Sequence, residues 1–261
     1  MSIGMMAELP LNDSPWISMQ TLPIYEPVKR SAFLDVYRGS AVLLMMIFHL
    51  CWDLRHFGFI EFDVYSPFWL SFRSLILTLF LSAVGWSTYI SLNKTPHAFF
   101  SFWQRDIKLL ISAGAISLAT YLAMPNQWIY FGILHFIFVA SLIIRPMAKW
   151  PIACALVGGI IMVIYHLTHW LQFPNAFATI THYIPLPERT LDIVFPFPWI
   201  GVVFIGPLLG YLNWHKCPTP NNLAISILAF MGRHALPIYL SHQLILFALV
   251  AAFKMLLMAF S

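Results

Sequence analysis

Charge is what this sequence has least of. Asp, Glu, Lys and Arg make up 9% of its 261 residues, against 60% apolar residues. A soluble domain carries about one-quarter charged residues, so this chain cannot keep its own surface wet, and a water-soluble fold is excluded. Cysteine is also scarce. Cys51, Cys154 and Cys217 are odd in number and far apart, and the first two fall inside apolar runs. A disulfide framework is thereby excluded and all three are read as unpaired. No internal repeat is visible, which disfavours the inverted-repeat transporter architectures. Alternating segments of about ten residues are lacking too, so a β-barrel is excluded. The start of the chain has no short apolar run of the kind a cleaved signal peptide needs. Residues 1–32, with Glu8, Asp13, Glu26 and several prolines, read as a cytoplasmic tail.

What the sequence does have is long apolar runs, with a mean hydropathy of +0.79. Crossing the hydrocarbon takes about 20 apolar residues. Such segments centre on 38–58, 68–92, 107–124, 128–147, 150–170, 195–214 and 234–259. The expected fold is therefore all-α, a polytopic transmembrane bundle of about seven spans over 33–261. Residues 222–231 form an apolar run too short to cross and are read as an interfacial or re-entrant helix, with an eighth span left open. Of the 14 Lys and Arg residues, ten collect at one set of helix ends if the N-terminus is cytoplasmic. That bias sets the N-terminus inside and turns the connector 172–194, with His182, Glu188 and Asp192, outward. The net charge of +4 is scattered between apolar runs rather than clustered, so it does not suggest a nucleic-acid partner. The partner it does imply is membrane lipid.

Two polar constellations interrupt the apolar runs. In the first span, Asp35 and Arg38 precede His49, which follows Arg38 by eleven residues. A helix rises 1.5 Å per residue, so His49 lies about 16 Å along the axis, near mid-membrane. Asp53 and His56 follow at helical spacing and can share the His49 face. A carboxylate one turn away orients an imidazole and raises its basicity, as a general base needs. Helix-gluing hydrogen bonds and an ion or proton path are the alternatives from spacing alone. Near the C-terminus, Tyr239, His242 and Gln243 recur at helical spacing and can project together into the bundle interior. His135 is a further candidate for the same cavity. His166, His169 and His182 make too weak a pattern for a metal site, so no metal is expected.

The residues that carry a family resemblance are Leu34-Asp35, Arg38-Gly39 with the histidine eleven later, and the run Gly232-Arg233-His234-Ala235-Leu236-Pro237-Ile238-Tyr239-Leu240-Ser241-His242-Gln243. Phe131-Gly132-Ile133-Leu134-His135, the end of the second span around Gly85, and the stretch from Asp192 through Phe195-Pro196-Phe197-Pro198-Trp199-Ile200-Gly201 add to it. Together they resemble the bacterial relatives of the heparan-alpha-glucosaminide N-acetyltransferase catalytic domain, within the wider acyltransferase-3-like membrane superfamily. The resemblance implies transfer of an acyl group, typically acetyl from acetyl-CoA, to a sugar or glycan acceptor, but carries over neither a sub-cellular site nor a heparan substrate. The expected location is a bacterial cytoplasmic membrane. It makes His49 the leading catalytic candidate, with Arg38 in its motif and Asp53 beside it. Asp35, His135, Asp192, Tyr239, His242 and Gln243 then line the substrate cavity. Acetyl-CoA is a co-substrate here and no bound cofactor is implied. Its phosphates would be drawn to inner-face cations such as Lys94, Arg105, Lys108 and Arg233. The alternative reading is a transporter with a proton or solute path through His49, Asp53 and His242. A homo-oligomer is left open, since close small-residue pairs are limited to Gly158-Gly159.

Overall fold

The computed structural model describes residues 30–94, 98–168, 171, 186–187 and 190–260. The expectations for residues 1–29 of the N-terminal tail, His169, His182 and Glu188 fall outside these. Among the described residues the chain is helical, with α1 Ala32–His56, α2 Pro67–Lys94, α3 Ala98–Ala123, α4 Ile133–Ile144 and α5 Pro151–Leu167. These are followed by α6 Trp199–Tyr211, a 3-10 turn Trp214–Lys216, α7 Leu223–Arg233 and α8 Ala235–Phe260. Four of them are long and apolar enough to cross a membrane: α1, α2, α3 and α8. Their apolar faces stay open to the surroundings, as Leu110, Ile111 and Leu118 on α3 and Leu244 and Leu249 on α8 illustrate. This is the surface of a membrane protein, whose outer face meets lipid.

The shorter apolar helices depart from uniform spans of about 20 residues for a physical reason. α4 has 12 residues and α6 has 13. Both supply the main core, where Phe136, Ala140, Ile144, Val203 and Phe204 pack against Leu77 and Leu81 of α2. A helix covered by other helices can end early, because its freed backbone meets protein instead of lipid. The non-helical segments leading into α4 and α6 bond each other. Leu191 N–H donates to Gln127 C=O, Val194 N–H donates to Phe131 C=O, and Phe131 forms a parallel bridge with Ile193. Side chains complete the pairing, with Thr190 donating to Trp128 C=O and Ser117 to Ile129 C=O.

Glycines set the closest approaches. A Cβ at Gly85 on α2 would run into Val203 C=O on α6, and one at Gly206 would meet Ser82 C=O on α2. Gly158 of α5 sits against Gly201 of α6, whereas Gly159 has open space beside it. On α1, Gly39 lies against the Leu228 backbone, and Gly232 of α7 lies against the Asp35 backbone. The 11-residue α7 therefore runs antiparallel to the first half of α1. The chain reverses at His234, and α8 returns beside α1, where Lys254 donates to Phe57 C=O. The N-terminus of α1 is capped by Ser31, whose hydroxyl accepts from Leu34 N–H and donates to His215 C=O of the 3-10 turn.

This packing predicts that Gly232→Val lowers the stability of the detergent-solubilised protein by about 1–3 kcal/mol, since the opposing atoms are backbone and must shift. Gly159→Ala is expected to be neutral. Thermal unfolding followed by size-exclusion monodispersity separates the two.

Candidate functional site

Three polar groupings lie within the bundle, one around buried arginines and two that adjoin each other away from them. The first is built on α1, α3 and α4 around two buried carboxylates. Asp35, 2% exposed, accepts from Arg30 Nε at 2.7 and 3.0 Å and pairs with Arg38 at 3.6 Å. Asp106, 5% exposed, pairs with Arg145 and accepts from Ser141 Oγ at 3.4 Å. Arg105 stands 3.8 Å from Asp106, and Arg38 lies within its electrostatic reach. Helix geometry makes this possible: Ser141 and Arg145 are four residues apart on α4 and face Asp106 together.

The second grouping is the meeting of α1 and α8. The imidazoles of His49 and His242 approach edge-on with centroids 4.9 Å apart. His242 is buried, and its Nδ1 lies 2.7 Å from the Tyr239 carbonyl oxygen. A carbonyl only accepts, so Nδ1 carries the proton and, in the neutral ring, Nε2 holds the lone pair. That Nε2 is buried and has no hydrogen-bond partner among the described residues. His49 is half-buried, with Phe48 edge-on at 5.7 Å.

Asp53 departs from the orienting role expected from its spacing. It is 1% exposed and turns to α8, where Gln243 Nε2 donates to its Oδ1 at 3.0 Å. The carboxylate thus bonds Gln243 across the helix interface, and its Oδ2 has no hydrogen-bond partner among the described residues. His56 packs on Phe57 and Phe247.

The third grouping lies away from the arginines and adjoins the histidine pair. A small cavity is lined by His135, Asp192 and Tyr239 together with Gly132, Ile116 and Ala113. Asp192 Oδ2 accepts from Ile133 N–H at 3.1 Å, so it caps α4 from a separate segment. A side chain at position 132 would strike that carboxylate, which accounts for Gly132 before Ile133. Burial pushes the Asp192 carboxyl up from its ordinary range, against the downward pull of the Ile133 amide and of the Arg73 and His135 charges. His135 Nε2 lies 3.1 Å from Ser117 Oγ. The Ser117 proton already goes to Ile129 C=O, so Nε2–H donates and Nδ1 is the free acceptor. Tyr239 joins this cavity to the histidine pair, since its ring also lies 5.7 Å from the His242 ring.

The chain therefore brings His49, His242, Tyr239, His135 and Asp192 into one line, and Asp53 with Gln243 beside it. Lys108 and Arg233 are exposed and lie outside the buried arginine grouping, and the Lys94 side chain lies outside the described ones. The sequence reading did not list Arg145, Asp106, Ser117 and Arg73 among its candidates. A carboxylate inside an apolar helix, as at Asp106, was the signal available. Cys51, Cys154 and Cys217 are free, as the composition implied.

The Asp53–Gln243 link gives a stability prediction. Gln243→Leu removes the donor to a buried carboxyl and is expected to cost about 1–3 kcal/mol. The double variant Asp53→Leu/Gln243→Leu is expected to recover part of that loss. Thermal unfolding of the four proteins, taken as a double-mutant cycle, measures the coupling.

Comparison with known proteins now adds an identity to the geometry. Residues 30–244 match the family described as heparan-alpha-glucosaminide N-acetyltransferase, catalytic. No curated protein and no solved structure matches the chain. The match opens at the arginine that bonds Asp35 and closes one residue after Gln243, so it takes in all three polar groupings. Since it covers well over half of the sequence, the chain belongs to the heparan-alpha-glucosaminide N-acetyltransferase catalytic family of membrane acyltransferases.

Proposed function

We propose that the protein transfers an acetyl group from cytoplasmic acetyl-CoA to a sugar or glycan acceptor on the far side of a bacterial cytoplasmic membrane. The observation that carries this reading is the edge contact of His49 and His242, joined through Tyr239 to the Asp192 cavity. The orientation follows the basic residues, with the N-terminus and the arginines inside. In this reading α4, α5 and α6 complete their crossings with flanking backbone that is covered by protein, giving seven spans, while α7 stays at the inner half.

Acetyl-CoA is a polyanion and stays at the basic end while its pantetheine arm reaches up the bundle. The acceptor enters past Asp192. Its amine or hydroxyl attacks the thioester carbonyl, forming a C–N or C–O bond as the C–S bond breaks. His49 takes the acceptor proton, which is then returned to the departing CoA sulfur. His242, with its tautomer set by the Tyr239 carbonyl, offers the Nε2 lone pair to the His49 imidazolium. Tyr239 lies at the junction of cavity and histidines, where its hydroxyl is a donor for the oxyanion formed on the thioester carbonyl.

With purified protein in detergent, His49→Ala is expected to lower acetyl-CoA-dependent CoA release by about 10²–10⁴-fold, the usual worth of a positioned base. His242→Ala is expected to lower kcat less and leave the KM for acetyl-CoA near wild type. Absence of saturable acetyl-CoA binding by a folded wild-type protein would overturn the reading.

A further inference from the structure

Arg105 and Arg145 have more hydrogen-bonding capacity than the fold uses. Arg105 Nε and Nη2 and Arg145 Nε are buried and have no hydrogen-bond partner among the described residues. Asp106 Oδ2 accepts from Arg145, its Oδ1 has only a long contact of 3.4 Å to Ser141, and Arg105 stands 3.8 Å away, too far for a hydrogen bond. Unmet buried donors are rare in native structures because each one costs desolvation with no return. Three of them on two adjacent guanidiniums mark a place that an acceptor fills.

The surroundings fix the chemistry of that acceptor. Both guanidiniums lie over the Phe102 ring, at 5.3 and 4.5 Å, which holds their forks in place. Arg38 lies within electrostatic reach of Arg105, and its own carboxylate, Asp35, is shared with Arg30. Four guanidiniums against two carboxylates leave a surplus of positive charge. The side chains of Arg105 and Arg145 are 32% and 21% exposed as a whole, while the three unmet nitrogens are themselves covered. Forked donors with surplus positive charge select an oxyanion that offers several acceptor atoms.

We propose that Arg105 and Arg145, with Arg38 beside them, form a binding site for a phosphate group. The anion site stands on the arginine geometry alone; assigning its phosphate to an acyl-CoA donor rests on the acyltransferase reading above. The phosphate of a lipid headgroup has the same chemistry. The exposed Lys108 and Arg233 then serve as approach charges, weakened by salt.

The test uses the full-length protein in nanodiscs of zwitterionic lipid, with inorganic pyrophosphate, acetyl-CoA and acetyl-pantetheine as probes. Pyrophosphate is expected to bind saturably and to compete with acetyl-CoA. Arg105→Gln, which leaves Asp106 paired with Arg145, is expected to weaken pyrophosphate binding about tenfold or more. It should also raise the KM for acetyl-CoA more than that for acetyl-pantetheine, which lacks the phosphates. Arg105→Lys keeps the charge without the fork and should fall between. If anionic lipid in the nanodisc abolishes pyrophosphate binding only when Arg105 is present, the phosphate site holds and its occupant is a headgroup. Pyrophosphate that fails to bind the wild type, or binds wild type and Arg105→Gln equally, overturns the proposal. So does an equal loss for both acetyl donors. Pyrophosphate binding without transfer from either acetyl donor overturns the acyltransferase reading and leaves the anion site intact.

Discussion

The contact on which the bundle depends is the backbone-to-backbone approach of α7 and α1. Gly39 against Leu228 and Gly232 against Asp35 leave no room for a Cβ at either position. Small residues let helices approach closely where lipid offers no hydrophobic drive between them. Because α7 and α8 are separated by His234 alone, docking α7 fixes where α8 begins. The register of α8 beside α1 follows: Gln243 meets Asp53, His242 meets His49, and Lys254 reaches the end of α1 at Phe57. A displacement at the glycines would therefore move the histidine pair, although none of those glycines touches it.

A second constraint decides which polar side chains may be there at all. In hydrocarbon a polar group without a partner is expensive, so each must face another across a helix interface. The bundle meets this with cross-helix bonds: Asp53 with Gln243, Asp106 with Arg145, Tyr37 with Ser82 and Ser117 with His135. It also uses bonds back to the same helix, such as His242 to Tyr239 C=O and Ser82 to Thr78 C=O. Against that background the unmet atoms stand out. Among the described residues they include His242 Nε2, Asp53 Oδ2 and Gln243 Oε1 where α1 meets α8, Trp86 Nε1 on α2, and the Arg105 and Arg145 donors at the arginine grouping.

The sequence carried the helical class, the short α7 and the late histidine run, because each rests on the length of an apolar stretch or on helical spacing. Periodicity along one helix also turned Tyr239, His242 and Gln243 inward together, and His242 is buried. Partners across helices were not legible in the same way. Asp53 follows His49 by one turn, yet its carboxyl bonds an amide on a helix nearly 200 residues later. Arg145 and Asp106 pair across α3 and α4 in the same fashion, and no spacing along one helix reveals a bond between two. The early ends of α4 and α6 escaped the hydropathy pattern because the pattern counts apolar residues and cannot tell lipid-covered from protein-covered backbone.

The separation of the arginine grouping from the histidines suits the proposed chemistry better than a single compact site would. A CoA molecule carries charge that is costly to bring toward mid-membrane, whereas the acetyl group it carries is small and neutral. Holding the charged part at the arginine end and the reacting carbon about 16 Å further along α1 keeps those two demands apart. The same separation puts Asp192 and His135 with the histidines rather than among the arginines. A polar acceptor approaching from the far side needs hydrogen-bonding groups where it enters, and a carboxylate there repels the phosphates of the donor. On this reading the charge asymmetry of the bundle sets the direction of transfer before any reaction occurs.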